Sequence, residues 1–244
     1  MSQPRVLVVQ HEAICPPGWV GEWLVEAGAD LDLRMPYAGG DLPATLADHD
    51  GLVVLGGSMG ADDDADHGWL TDVKRLVREA AEHSVPTWGI CLGHQLCAVA
   101  LGGEVAPNPR GQQLGVLDVG WRPEAAQDAL FGPVSGPARA AQWNNDIVVR
   151  LPDDAVLLAE TPRGEVQAAR FAPTVWGVQW HPEAGGDIIR VWADDDRDDA
   201  TERGIDVYEY LRHVTDAEPE LRATWRPLVE SFVAGVRTRA PAVP

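Results

Sequence analysis

Basic side chains are scarce in this chain: 19 Lys and Arg stand against 38 Asp and Glu, giving a formal net charge of −19. Grip on a phosphate backbone comes largely from clustered Lys and Arg, so a nucleic-acid partner is not expected. The same charge would be repelled by an anionic membrane surface. Long apolar runs are missing too, and none approaches the roughly 20 residues that span a bilayer. The opening Met-Ser-Gln-Pro-Arg leads directly into Val6–Val9, without the long apolar stretch and small-residue cleavage site of a signal peptide. Cysteine is rare: Cys15, Cys91 and Cys97 are too few for a disulfide framework, and the cytoplasm is the expected location. No internal repeat or low-complexity segment is present. What remains, 45% hydrophobic and 23% charged residues in 244, is the make-up of a soluble globular protein. That length suits one large domain, or one domain with an appendage.

Short apolar runs alternate with helical patterns through the first hundred residues. Arg5 to Gln10, Asp30 to Met35, Gly51 to Leu55 and Pro86 to Ile90 read as strands. Between them, Trp19, Val20, Trp23, Leu24 and Ala27 recur at helical spacing, as do Trp69, Val73, Leu76, Val77 and Ala80. Leu92, Leu96, Val99 and Ala100 mark a further helix stopped by Gly102-Gly103. Such alternation predicts a parallel sheet covered on both faces. From Gln112 to Trp180 short strands dominate, best at Gln112–Trp121, Val156–Glu160, Val166–Phe171 and Thr174–Trp180, with a tight turn at Arg163-Gly164. The tail from about residue 187 reads as helical. Its stripe of Leu221, Trp225, Leu228, Val229, Phe232 and Val236 predicts packing onto the main domain. The acidic clusters Asp62–Asp64 and Asp194–Asp199 read as solvated loops; neither has the ordered spacing of metal ligands.

The strongest chemical signal is Gly89-Ile90-Cys91-Leu92-Gly93-His94-Gln95, lying between a strand and a helix. A nucleophile on a sharp strand-to-helix turn stands clear of the sheet, and glycines two residues either side relieve the crowding. The positive end of the following helix favours a thiolate. The alternative for this motif alone is a small buried cysteine in a corner. Cys97, inside the helix, reads as core, and Cys15 as a loop thiol. A cysteine nucleophile needs a base. His94 points about 300° around the helix axis from Cys91 and reads as structural. His11, His49, His67, His83 and His213 lie in polar or loop contexts and read as surface residues. His181 differs, since it ends the apolar run Val175–Trp180 and precedes Pro182-Glu183. Proline biases it toward extended chain, where residues two apart share a side, so Glu183 can reach its imidazole. Taken alone, His-Pro-Glu is equally a strand-ending turn.

Together, the strings Gly-Ile-Cys-Leu-Gly-His-Gln and Trp-Gly-Val-Gln-Trp-His-Pro-Glu resemble the nucleophile and His-Glu motifs of the class I (triad) glutamine amidotransferases. Gly56-Gly57-Ser58-Met59-Gly60, followed by Trp69-Leu70, resembles that family's oxyanion loop. Ala155–Glu160, leading to Gln167-Ala168, resembles its approach to the His-Glu motif. The resemblance spans residues 5 to about 186, and is strongest to free-standing amidotransferase-like members. It implies a three-layer, doubly wound, mostly parallel α/β sheet of the flavodoxin-like kind. The family domain would occupy residues 1–186, with a helical extension at 187–244 packed on it. It also implies that Cys91 attacks a glutamine side-chain amide, that His181 moves protons and that Glu183 orients His181. The N–H groups of Gly57 and Leu92 would form the oxyanion hole. Gln95 and Gly56 are implied as substrate contacts. Many relatives carry a histidine before the family's Asp, where this chain has Trp143-Asn144-Asn145-Asp146. In the family that segment meets the amino-acid end of glutamine. Trp143, Asn144 and Asn145 are therefore candidate contacts, and an uncharged asparagine retains or retunes the pocket.

Three functions follow from the resemblance. The first is a glutaminase that passes ammonia to a synthase on another chain, since residues 187–244 lack a nucleotide-binding signature. The second is a γ-glutamyl peptidase or hydrolase with water as acceptor. The third is a regulatory or binding protein that kept the fold without turnover. Thiolate acyl transfer requires neither metal nor organic cofactor, and none is expected.

Overall fold

The computed structural model describes residues 3–238. Among these residues, eleven strands and five α-helices follow one another. β1 (Arg5–Val9), α1 (Gly18–Glu26), β2 (Asp30–Arg34), β3 (Gly51–Val54), α2 (Trp69–Glu82), β4 (Thr87–Ile90) and α3 (Leu92–Ala100) form the alternating half. β5 (Glu104–Pro107), β6 (Gln113–Asp118), β7 (Arg139–Asn144), β8 (Asp146–Arg150), β9 (Val156–Glu160), β10 (Val166–Ala172) and β11 (Val175–Val178) form the strand-rich half. The chain continues into α4 (Gly186–Glu202) and α5 (Val207–Thr238). Residues 1–2, and 239–244 at the end of the predicted helical tail, lie outside the described residues.

Seven strands make one sheet in the order β2-β1-β3-β4-β11-β10-β9. The first five run parallel, while β10 is antiparallel to both β11 and β9. The parallel part doubles back between β1 and β3, the kind of switch point outside which open α/β sheets bind ligands. Alternation along each strand sorts the core into two layers. Val6, Val8 and Val53 face a cluster completed by Trp19, Trp23 and Leu24 of α1 and by Trp225, Leu228 and Phe232 of α5. Leu7, Val9, Leu52 and Val54 face the other cluster, with Val73, Leu76 and Val77 of α2 and Leu96 of α3. Helices thus cover both faces, giving three layers. Two small antiparallel ladders, β5 with β8 and β6 with β7, stand apart from the sheet.

Several local expectations are corrected. The run Asp194–Asp199 is not a loop but lies inside α4; i, i+4 pairing such as Arg203 with Asp199 helps the helix tolerate it. Asp62–Asp64 is an organised turn: Asp63 accepts from the Gly60 N–H at 2.6 Å, and Asp64 pairs with Lys74 and Thr71. His11 and His49 are buried rather than at the surface. The former receives the Trp69 indole N–H at 3.2 Å, and the latter lies 3.0 Å from Asp32. The burial of each is offset by a polar partner supplied from another element, which its own neighbours in sequence do not reveal. Cys15 is a loop thiol, as expected, but a buried one. Strands β5, β7 and β8, which carry no alternation clear enough to single out, complete the strand-rich half.

Candidate active site

The C-terminal ends of β1, β3, β4 and β11 converge on one cavity of about 220 Å³. At the end of β4, Cys91 has φ 50° and ψ −105°, a left-handed conformation unusual for a residue with a side chain. The flanking glycines make this possible by close approach. A Cβ on Gly89 would collide with the carbonyl of Gly93, and one on Gly93 with the carbonyl of Val54 on β3. Leu92 opens α3, so its N–H has no carbonyl one turn back. Gly57 is confined as well: a Cβ there would lie 2.9 Å from Leu92 Cδ2 and 3.1 Å from His11 Cβ.

β11 delivers the second set. The expected extended exit is not observed: residues 179–180 form bends and 182–183 a turn, and on this bent segment Gln179 and His181 come to Cys91 while Glu183 stays within reach of His181. His181 Nδ1 lies 2.7 Å from Glu183 Oε1, and Nε2 lies 3.3 Å from the Trp143 carbonyl oxygen. Both ring nitrogens face acceptors, which suits the doubly protonated ring. Burial opposes that charge, but the adjacent Glu183 and Cys91 prevail and hold the His181 pKa well above its usual value. A Cβ on Gly56 would lie 3.2 Å from His181 Cε1 and 3.7 Å from Cys91 Cβ, so this glycine keeps the space between imidazole and sulfur open. Trp192 of α4 stacks edge-on against the imidazole with ring centroids 4.6 Å apart. Behind the histidine, Trp180 packs on Trp225 of α5 at 5.0 Å.

Of the residues singled out from sequence, Cys91, His181, Gly57, Gln95, Trp143, Asn144 and Asn145 line the cavity. Gly56, Leu92 and Glu183 stand just behind it. The segment carrying Trp143-Asn144-Asn145-Asp146 passes from β7 to β8 through a single bend at Asn145, the only one of the four outside the strands. Asn144 Nδ2 donates to Gln113 Oε1 and the Asp146 carbonyl, each at 3.1 Å. His94 lies outside the cavity, fully buried against Phe171, and burial lowers its pKa to about 3. Cys97 is buried in the core.

Four contributors escaped the sequence reading. Gln179 Nε2 donates toward Cys91 Sγ at 3.5 Å, while its Oε1 receives Gln95 Nε2 at 3.3 Å. Its place two residues before His181 was the available signal. Glu12, just beyond β1, fastens the glycine loop by accepting from Ser58 N at 2.6 Å and Ser58 Oγ at 3.0 Å. A polar residue at the end of a central parallel strand could have marked it. Asp195 and Asp196 of α4 reach the cavity with no local signature at all. Cys15 lines the same cavity; burial and then Glu12, whose carboxylate accepts from its thiol at 3.3 Å, push its pKa far up. Among the described residues no cluster of His, Cys, Asp and Glu could hold a metal, and no helix is long and apolar enough to cross a membrane.

This geometry has counterparts. The chain is 35% identical to a component of the glutamine-hydrolysing GMP synthase of Halobacterium salinarum, over 58% of this chain and 70% of that protein. It is 31% identical to γ-glutamyl peptidase 4 of Arabidopsis thaliana, over 59% of this chain and 57% of the relative. A glutamine amidotransferase structure from Thermotoga maritima superposes with a TM-score of 0.84 at 26% identity, covering 96% of this chain and 99% of that one. The family model described as glutamine amidotransferase class-I matches residues 21–187, most of the chain and the elements that carry Cys91 and His181, and the chain belongs to that family.

Proposed function

We propose that this protein hydrolyses the side-chain amide of glutamine through a thioester on Cys91. The sulfur attacks the amide carbon as the carbonyl oxygen settles between the N–H groups of Gly57 and Leu92. His181 gives its proton to the leaving nitrogen, the C–N bond breaks and ammonia departs. Water, losing a proton to His181, then cleaves the C–S bond and frees glutamate. Glu183 keeps Nδ1 protonated and steadies the imidazolium, as the third member of a triad does. The observation that carries the reading is the carboxylate-held His181 sharing a cavity with a cysteine on a strained elbow. No cofactor enters this chemistry.

The likeness to a GMP synthase component supports an ammonia-accepting synthase on another chain. We also propose residues 1–186 as the family domain and 187–244 as its extension, which lends Trp192, Asp195 and Asp196 to the cavity. A second reading, γ-glutamyl peptidase activity with the same triad, is favoured by Asn144 and by the likeness to γ-glutamyl peptidase 4. Glutamate and ammonia release from glutamine and from γ-glutamyl peptides separates the two. Mass analysis of Cys91 after exposure to a glutamine-derived electrophile tests both; an unmodified Cys91 and no turnover would leave only a binding protein.

A further inference from the structure

The cavity above Cys91 is walled by carboxylates. Glu12, Asp146, Asp195 and Asp196 all line it, and among the described residues no Lys or Arg does. None of the four belongs to an ion pair among the described residues. Glu12 is bound to Ser58, and Asp196 accepts from the Trp143 indole at 2.7 Å and from Gln112 at 3.5 Å, all neutral donors. Arg203, which donates to the lining residue Gln112, is itself paired with Asp199. Burial, then Asp63, raises the Asp146 pKa, as expected of a carboxylate without a cation beside it. Asp195 is exposed at the rim.

A second observation concerns an unpaired acceptor buried in the wall of the same cavity. Asn144 is 4% exposed, lines the cavity, and its Oδ1 has no partner among the described residues, although both of its Nδ2 bonds are made. An acceptor in that state gains from an incoming N–H.

We infer that the acidic wall selects γ-glutamyl amides whose amine portion carries a second, protonated nitrogen, such as those of aliphatic diamines and polyamines. The inference rests on the reading of Cys91 as the nucleophile toward a γ-glutamyl amide. Cleavage breaks the amide bond between the γ-carbonyl carbon and nitrogen as the Cys91 sulfur forms the thioester at that carbon; His181 supplies the proton to the leaving diamine, and water releases glutamate. The free ammonium lies in a field of unpaired carboxylates, whereas the carboxylate of a γ-glutamyl peptide is repelled by it.

The test compares three amides of equal chain length made from 1,4-diaminobutane, n-pentylamine and 4-aminobutanoate, which differ in the charge at the far end. The intact protein should show kcat/KM falling in the order cation, neutral, anion, by about ten-fold per step at low salt. Added NaCl should compress the series. Asp195→Asn should cut the cation-to-neutral ratio several-fold and Asp195→Lys should invert it; this exposed position on α4 keeps the helix intact. Equal or faster turnover of the neutral amide, or a ratio indifferent to Asp195→Lys, overturns the selectivity while leaving the triad reading in place. No turnover of any amide or of glutamine, with Cys91 unmodified by the electrophile, overturns both.

Discussion

The elbow at Cys91 and helix α4 face one cavity, yet they are specified in different ways. Around Cys91 a seven-residue string carries its own geometry. Two glycines admit backbone contacts that any Cβ would block, and the cysteine takes a left-handed φ between them. α4 has no side-chain cap and six acidic or basic residues in a row from Asp194 to Asp199. Nothing local places Asp195 and Asp196 at the cavity that holds the sulfur. They arrive because Trp192 packs on His181 and Trp143, and because α5 holds the start of α4 through Glu218, which accepts from the Gly186 N–H at 2.6 Å. A site built by backbone sterics should tolerate little change, and one built by packing should degrade gradually.

The sharpest contrast comes from the elbow. Cys91→Ala should reduce glutamate release by about four orders of magnitude or more without lowering the melting temperature, because no other group forms the acyl intermediate. Residual activity close to the parent's would break the mechanism. Glu183→Gln should cost about a thousand-fold in kcat, since the ring loses the carboxylate that fixes its tautomer. It also shifts the pH profile in a defined direction. Glu183 raises the His181 pKa, so the protonated ring is lost only as pH climbs through that raised value. Without the carboxylate the loss begins at lower pH, and the alkaline limb of kcat should move toward neutrality; a stationary limb would remove Glu183 from the triad.

On the side of α4, Trp192→Ala should lower kcat about ten- to hundred-fold by letting the imidazole drift, with KM for glutamine moving less. A loss as deep as that of Cys91→Ala would mean that the packed wall is no more forgiving than the elbow. The smallest effect expected is that of Gln179→Leu. Removing its donor to the sulfur should slow alkylation of Cys91 by iodoacetamide at neutral pH about ten-fold, with turnover following. Unchanged alkylation would make Gln179 a spacer for Gln95 and nothing more.

The sequence carried β1 to β4, α1 to α3 and the strand entering His181 because each is a short stretch whose periodicity or turn chemistry is complete within itself. The pairing of His181 with Glu183, two residues apart, was legible too, but it is made across a turn at Pro182-Glu183 rather than on extended chain. His11 and His49 were misread for the converse reason. Their polar neighbours in sequence suggest the surface, while burial and the partners Trp69 and Asp32 come from elements 58 and 17 residues away. Cys15 is the expected loop thiol, but its surroundings are set by Glu12 and by the cavity rather than by Pro16-Pro17.

By itself the sequence determined the elbow, the order of strands and helices in the alternating half, and the family motifs, since these rest on sterics and side-chain periodicity over a few residues. Only the tertiary structure decided that an acidic helix lines the cavity that holds the sulfur, that Gln179 joins Gln95 to Cys91, and that Asn144 has an unpaired, buried oxygen. Those contacts join residues from tens to more than a hundred positions apart, and no local pattern encodes which faces meet once the sheet and its helices have packed.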